Sequence, residues 1–256
     1  MPFEPDRRLD GEVVIVTGAS GSLGRAICVA AAREGARVVA LGRDLARLND
    51  TLDEVRQECG SSAAESLILQ LDVRSEHEIE QMKNTVCDRF GRIDVLVVTH
   101  GIGGSSQGNR AIPHPFARLP LDDWSAVIDT NLKGVFLINR AVLPVMAAQG
   151  RGHIINVSSA RGGLRGQAFG AAYCASKFGV RGLSEALAEE VRSLGIRVEV
   201  ILPEAVESNL IANTGLGSGN RKSLPPRRVA ALAIHMLTRP DDVVLSQPLI
   251  EAFSSR

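Results

Sequence analysis

The sequence predicts an α/β fold: a doubly wound parallel sheet of about seven strands with helices on both faces, in a single domain spanning residues 1–256. Three observations lead there. Short runs of Val, Ile and Leu recur that are apolar at nearly every position, as strands covered on both faces must be. Amphipathic stretches of helical length separate them. The chain, 256 residues and 45% hydrophobic, can bury a full core and contains no low-complexity linker or short internal repeat.

In order, the strands are expected at Val13–Val16, Val38–Leu41, Leu67–Leu71, Val95–Val98, Ile154–Val157 and Val198–Leu202, with a seventh at Val243–Ile250. Helical patterns fill the intervals at Leu23–Glu34, Leu45–Cys59, Ser75–Phe90, Asp122–Gln149, Ala171–Leu194 and Pro226–Leu237. Asp44 and Ser75 stand where a side-chain oxygen caps the second and third helices. Two stretches break the rhythm, Gly101–Pro120 and Pro203–Pro226, each after the C-terminal end of a strand. Open α/β sheets bind ligands at that end, and long loops there are usually functional, the alternative being ordinary surface insertions. Residues 203–226 are expected to form the substrate-binding loop.

Basic and acidic residues number 29 each, giving a net charge of zero with no basic tract, which argues against nucleic acid or an anionic membrane as partner. No apolar run approaches the ~20 residues of a membrane span. Polar, Pro-containing Met1–Gly11 does not read as a signal peptide. Cysteines 28, 59, 87 and 174 lack metal-like spacing and suit a reducing compartment, so the cytoplasm is the expected location. The histidines form no metal-spaced set either, and no metal site is expected.

The chemistry concentrates in Tyr173-Cys174-Ala175-Ser176-Lys177. A Tyr and a Lys four apart on a helix share one face and can act on the same atom. A phenol ordinarily titrates near pH ~10, and a neighbouring ammonium is expected to lower that value toward neutrality. Near the N-terminus, Thr17-Gly18-Ala19-Ser20-Gly21-Ser22-Leu23-Gly24 joins the first strand to the first helix. Glycines in such a turn let the backbone approach a pyrophosphate that the helix N-terminus holds. Asp72, at the end of the third strand, is suited to accept a hydrogen bond from an adenine amino group, with helix capping as its alternative.

Taken with Leu71-Asp72-Val73, Asn131-Leu132-Lys133-Gly134 and Ile155-Asn156-Val157-Ser158-Ser159, these motifs follow an order that resembles the short-chain dehydrogenase/reductase family over nearly the whole chain. The resemblance implies a Rossmann-like domain, a nicotinamide cofactor and reversible hydride transfer between an alcohol and a carbonyl on a small molecule. It implies that Tyr173 protonates the carbonyl oxygen and that Lys177 lowers the tyrosine pKa and holds the nicotinamide ribose. Ser159 would bond the substrate oxygen, and Asn131 would anchor a water linking Lys177 to solvent. The cofactor would meet Gly18, Ser20, Gly21, Ser22, Leu23 and Gly24 in the turn. Further along, it would meet Arg43, Asp72, Val73, Gly101 and Val206, besides Tyr173 and Lys177. Family members also pair equivalent helices between subunits, so a homodimer or homotetramer is expected.

Ser158 competes with Ser159, but the family spaces serine and tyrosine by about thirteen, and Ser159 lies nearer that value. Other positions depart from the pattern. Gly21-Ser22 replaces an order in which the middle glycine stands at 22. Val98-Thr99-His100-Gly101 replaces Asn-Asn-Ala-Gly, and Pro203-Glu204 replaces Pro-Gly. The Glu204 carboxylate either lines the substrate pocket or faces solvent. For cofactor choice, the second strand ends in Gly42 with no acid to hold ribose hydroxyls, and Arg43 follows with a guanidinium suited to a 2′-phosphate. NADP(H) is therefore expected over NAD(H), which remains possible. The leading reading is a ketone or aldehyde reductase similar to 3-oxoacyl and secondary-metabolism reductases. The second class is a non-catalytic dinucleotide sensor or scaffold, suggested by the altered segments and opposed by retention of all four catalytic residue types.

Overall fold

A computed structural model describes residues 8–60, 65–103, 114–207, 223–240 and 242–253. Seven parallel strands form its sheet in the order β3-β2-β1-β4-β5-β6-β7. They are β1 (Val13–Thr17), β2 (Arg37–Gly42), β3 (Leu67–Gln70), β4 (Val95–Val98), β5 (Gly152–Val157), β6 (Ile196–Pro203) and β7 (Leu249–Ile250). The helices are α1 (Ser22–Arg33), α2 (Leu45–Cys59), α3 (Glu76–Phe90), α4 (Leu121–Ile128), α5 (Gly134–Gln149), α6 (Ala171–Val191) and α7 (Pro226–Thr238).

Successive side chains of a strand point to opposite faces, and β1 to β6 each feed two cores. Val14, Val16, Val38 and Ala40 pack with α1, α2 and α7. Val13, Ile15, Val39 and Leu41 pack on the other face with α3, α5 and α6. Strands buried on both faces admit polar positions only where a partner satisfies them, which is why their runs are largely apolar. Helix ends follow local chemistry: Asp44 Oδ1 accepts from Arg47 N at 3.1 Å, and Ser75 Oγ accepts from Glu78 N at 3.2 Å. Gly91 and Gly150 close α3 and α5 in the left-handed conformation.

Two elements differ from expectation. The stretch Asp122–Gln149, expected as one helix, is interrupted by a π-turn at Asp129–Lys133 between α4 and α5. The seventh strand, expected from Val243, is confined to Leu249–Ile250. Ser246, Pro248 and Ile250 do accept hydrogen bonds from Val200, Leu202 and Glu204 of the β6 edge. Pro248 has no N–H to return, and the segment before it is held by side chains instead. Buried Glu199 accepts from Leu245 N at 2.6 Å and pairs with His153 and Arg239, while Arg239 Nε donates to Val243 O at 2.8 Å.

At the N-terminal edge of the sheet, buried Asp94 accepts from Val13 N at 2.9 Å, Arg92 at 2.6 Å and Arg151 at 3.0 Å. Burial opposes its charge, but the bonds from Arg92, Val13 and Arg151 outweigh that and hold the carboxyl below its ordinary value. A carboxylate with a depressed native pKa stabilises the fold above the unfolded value, near pH ~3.9, and that contribution is lost as pH falls through the native value. Asp94→Ala should therefore cost about 2–4 kcal/mol at pH 7 by chemical denaturation, with the gap to the parent closing below pH ~4.

Candidate active site

Strand order reverses beside β1, whose neighbours are β2 and β4. Chain leaving the C-terminal ends of β1 and β4 therefore parts to opposite sides and opens a crevice, the general binding position of such sheets.

The β1–α1 turn is built for close approach. Gly18 sits at φ +68°, and a Cβ there would lie 2.9 Å from the His100 backbone. A Cβ on Gly24 would run into the Gly18 and Ala19 backbone, at 2.7 and 2.8 Å from Gly18 C and Ala19 Cα. Gly21 caps α1 without a side-chain acceptor, and the first turn carries no acidic residue. The leading N–H groups of Ser22, Leu23 and Gly24 thus face a cradle free of competing anions, which fits a pyrophosphate. Ser22, where the family has glycine, donates Oγ–H to Glu207 O at 3.0 Å and ties this turn to the segment after β6. Ser20 Oγ lies 2.9 Å from where a Gly42 Cβ would stand, so Ser20 and the end of β2 adjoin.

Arg43 is exposed at the end of β2, and Gln70 Nε2 donates to its carbonyl at 2.9 Å. Asp44 is committed to the α2 cap, while the Asp72 carboxylate lies close enough to feel the charge of Arg43. Asp72 is engaged as well: Arg74 Nε donates to both its carboxylate oxygens at 3.0 Å, and that hydrogen bond, more than any other effect, lowers its pKa. Val73 is buried against Gly134, where a Cβ would lie 2.9 Å from Val73 Cγ2.

Asn131 occupies the π-turn, fully buried. Its Oδ1 accepts from Ile102 N at 2.8 Å, and its Nδ2 donates to Ile102 O at 2.9 Å and Ser176 Oγ at 3.2 Å. Asn131 thus fastens the chain leaving β4 to α6, and the widened turn gives its side chain the reach. Gly101 lies between, a Cβ there falling 3.3 Å from Asn131 Oδ1 and 3.6 Å from Lys177 Nζ. His100, a departure from the family pattern for which a structural role is the expected one, is a structural latch. Its Nε2–H donates to Thr130 O at 3.1 Å, and its Nδ1 accepts from Thr17 Oγ1 at 2.7 Å. Burial first, and Lys177 second, press its pKa to about 3, so it is neutral.

Tyr173 and Lys177 lie one turn apart on α6, which buried Asn156 holds to β5 by donating to Ser184 Oγ at 2.9 Å. Lys177 is buried, donates to Val157 O at 2.9 Å, and has its pKa lowered by burial to about 8. Its Nζ stands 5.9 Å from the centre of the Tyr173 ring. Burial pushes the Tyr173 phenol above its ordinary value, with a hydrogen bond to Ser159 acting in the other direction. The expected lowering by Lys177 is therefore not the dominant effect in this arrangement, because the ammonium is turned to the Val157 carbonyl. A raised phenol pKa keeps Tyr173 protonated at neutral pH, as a proton donor must be.

The two serines separate cleanly. Ser158 Oγ donates to Lys177 O at 2.8 Å and serves the helix backbone, whereas Ser159 Oγ reaches Tyr173 and accepts from Gly162 N at 3.1 Å. A second π-turn, Arg161–Arg165, follows. A Cβ on Gly162 would lie 2.7 Å from Tyr173 Cδ1, with Cε1 nearer still, and one on Gly163 would strike Ser158 Oγ. Arg181 of α6 secures this turn by donating to Gly163 O at 2.7 Å. The sequence reading passed over Gly162, Gly163 and Arg181. Two adjacent glycines between the serine and the tyrosine were the available signal.

Val206 bridges Leu224, closing the ends of the segment after β6. Glu204 does not face solvent: its side chain is 10% exposed and pairs with Arg161 at 3.5 Å. Residues 104–113 of the loop after β4, and 208–222 of the expected substrate loop, lie outside the described residues. No group of His, Cys, Asp or Glu among the described residues could hold a metal ion, and none of their helices is long and apolar enough to cross a membrane.

A family model described as short chain dehydrogenase matches residues 12–217. The chain belongs to the short-chain dehydrogenase/reductase family. The 3-oxoacyl-[acyl-carrier-protein] reductase of Synechocystis sp. is 36% identical over 80% of this chain and 78% of its own length. A metagenomic short-chain oxidoreductase solved with NADP superposes with a TM-score of 0.80 at 32% identity, covering 97% of this chain and 100% of that one. An actinorhodin polyketide ketoreductase solved with NADPH gives a TM-score of 0.80 at 31% identity, covering 93% and 95%. The enzyme is thus an NAD(P)-dependent oxidoreductase acting on a CH–OH or C=O group.

The Gly162 contact yields a sharp expectation. Gly162→Ala should displace the Tyr173 ring and lower kcat by about 10²-fold with the melting temperature nearly unchanged, since small misplacements of reacting groups are costly. Steady-state kinetics beside thermal unfolding would check it, and undiminished kcat would break the link between turn and ring.

Proposed function

We propose that the enzyme reduces a ketone or aldehyde to an alcohol with NADPH, the reaction being reversible. The observation that carries this reading is the joining of Ser159, Tyr173 and Lys177 at the C-terminal edge of β5, beside the glycine cradle. Ser159 bonds the substrate oxygen and stabilises the charge that develops there. Tyr173, kept protonated by burial, delivers its proton to that oxygen. Lys177, charged below its value of about 8, supports the phenolate left behind and holds ribose hydroxyls. Asn131 keeps the β4 exit and α6 in register and, with Gly101, provides the place for a water leading from Lys177 to solvent. When bound, the nicotinamide supplies the hydride.

NADP(H) over NAD(H) is supported by Arg43, by the lack of an acid at Gly42 and by the commitment of Asp44 to the α2 cap. The two reductases solved with NADP or NADPH are consistent with it. A homodimer or homotetramer is supported by the exposed Phe136 of α5 and Phe178 of α6. Light scattering should give twice or four times the chain mass at micromolar concentration, a monomer refuting this assembly.

Consumption of NADPH with a panel of carbonyl compounds tests the reading. The parent should favour NADPH in kcat/KM, Arg43→Ala should erode that preference, and Tyr173→Phe should lose about 10²–10⁴-fold in turnover while retaining cofactor binding. Equal or better use of NADH by the parent would refute the cofactor assignment. Gly42→Asp is a poorer probe, because a side chain there displaces Ser20.

A further inference from the structure

Glu204 and Arg161 meet at the rim of the site, although they are far apart in sequence and Glu204 stands where the family has glycine. Val157 of β5 pairs in register with Ile201 of β6. Three residues beyond that pair the strands deliver Ala160 and Glu204 to neighbouring points on the C-terminal edge. Arg161 is the next residue, and the first of the π-turn whose Gly162 donates to Ser159 Oγ and touches the Tyr173 ring. A guanidinium on this turn is therefore anchored beside the groups that hold the reacting oxygen.

The pairing is one-sided. Glu204 Oε1 approaches Nε of Arg161 at 3.5 Å, and among the described residues this is the only hydrogen bond or ion pair of the Arg161 side chain. A guanidinium presents an end-on edge through its two terminal nitrogens that matches the two oxygens of a carboxylate. Held through Nε, Arg161 keeps that edge open, with its side chain 37% exposed against 10% for Glu204. The buried acid thus fixes the orientation of a half-exposed base. Leu164 and Phe169 are exposed on the same connection between Ser159 and α6.

Building on the reductase reading, we propose that Arg161 binds a carboxylate carried by the substrate, so that the preferred substrates are oxo acids, and that Glu204 is the positioning residue that aims it. Substrate carboxylate oxygens accept from the two terminal nitrogens while the ketone oxygen lies at Ser159 and Tyr173. A neutral analogue loses the first contact and keeps the second.

The test compares straight-chain oxo acids, varied in the spacing between ketone and carboxylate, with their methyl esters. With NADPH, the parent should prefer the best acid over its ester by about ten-fold or more in kcat/KM, the range of a charge-assisted bidentate contact. Arg161→Gln should erase this preference by losing turnover of the acid while retaining that of the ester, and Arg161→Lys should restore part of it. Glu204→Ala should raise KM for the acid with kcat and ester turnover little changed. Ester turnover also reports that each variant is folded. Equal turnover of acid and ester by the parent, or an equal loss of both in Arg161→Gln, would overturn the proposal and leave the pair a structural clamp. Failure to reduce any carbonyl compound with either cofactor would instead count against the reductase reading. In that case calorimetric titration of acid and ester into the NADPH-mixed parent and Arg161→Gln decides the anion site, with acid-selective binding lost in the variant supporting it and its absence overturning it.

Discussion

An all-parallel sheet forces every connection to travel back over a face, so all strand C-termini gather on one edge. The site of this enzyme depends on that constraint. Without it, the glycine turn after β1, Asp72 after β3, Gly101 after β4, Ser159 after β5 and Glu204 after β6 would be scattered across the molecule. The change of strand order at β1 then opens a crevice at that edge.

Given that edge, the close approaches around Tyr173, Val73 and the β1–α1 turn are set mainly by missing side chains. Gly162 and Gly163 bring the π-turn against Tyr173 and Ser158, Gly134 lets its helix close on Val73, and Gly18 permits contact with the His100 backbone. Each glycine costs backbone entropy, and the contact is possible only because that cost was accepted. Polar side chains fix what the glycines allow. Asn131 satisfies both backbone groups of Ile102, and His100, held neutral by burial, joins Thr17 to Thr130. His100, where the family has a small residue, therefore adds a latch between Thr17 and Thr130.

Electrostatics divide the labour between tyrosine and lysine. Burial alone raises the phenol and lowers the ammonium, since both neutral forms are favoured away from water. The phenol stays protonated at neutral pH, while the ammonium sits close to its titration point. The same balance explains why Glu199, although buried, remains charged: bonds from His153, Arg239 and Leu245 N offset its loss of water.

Local pattern carried much of this protein. Apolar runs located six strands, Asp44 and Ser75 marked helix starts, glycine spacing marked the tight turn between β1 and α1, and the four-residue interval of Tyr173 and Lys177 placed both on one helical face. Each of these depends on neighbours in the chain, which a sequence displays directly. What the tertiary structure alone decided depends on residues that meet only after folding. Ser158 turned to the α6 backbone and Ser159 to the phenol, partners that only the packing of α6 on this connection supplies. The helix widens at Asn131, where the side chain bonds Ile102 on the loop after β4, a partner far away in sequence. β7 shortened because Pro248 has no donor for its ladder. Glu204 was free to line a pocket or face water until the register of β5 and β6 set it beside Arg161, and no periodicity encodes that register.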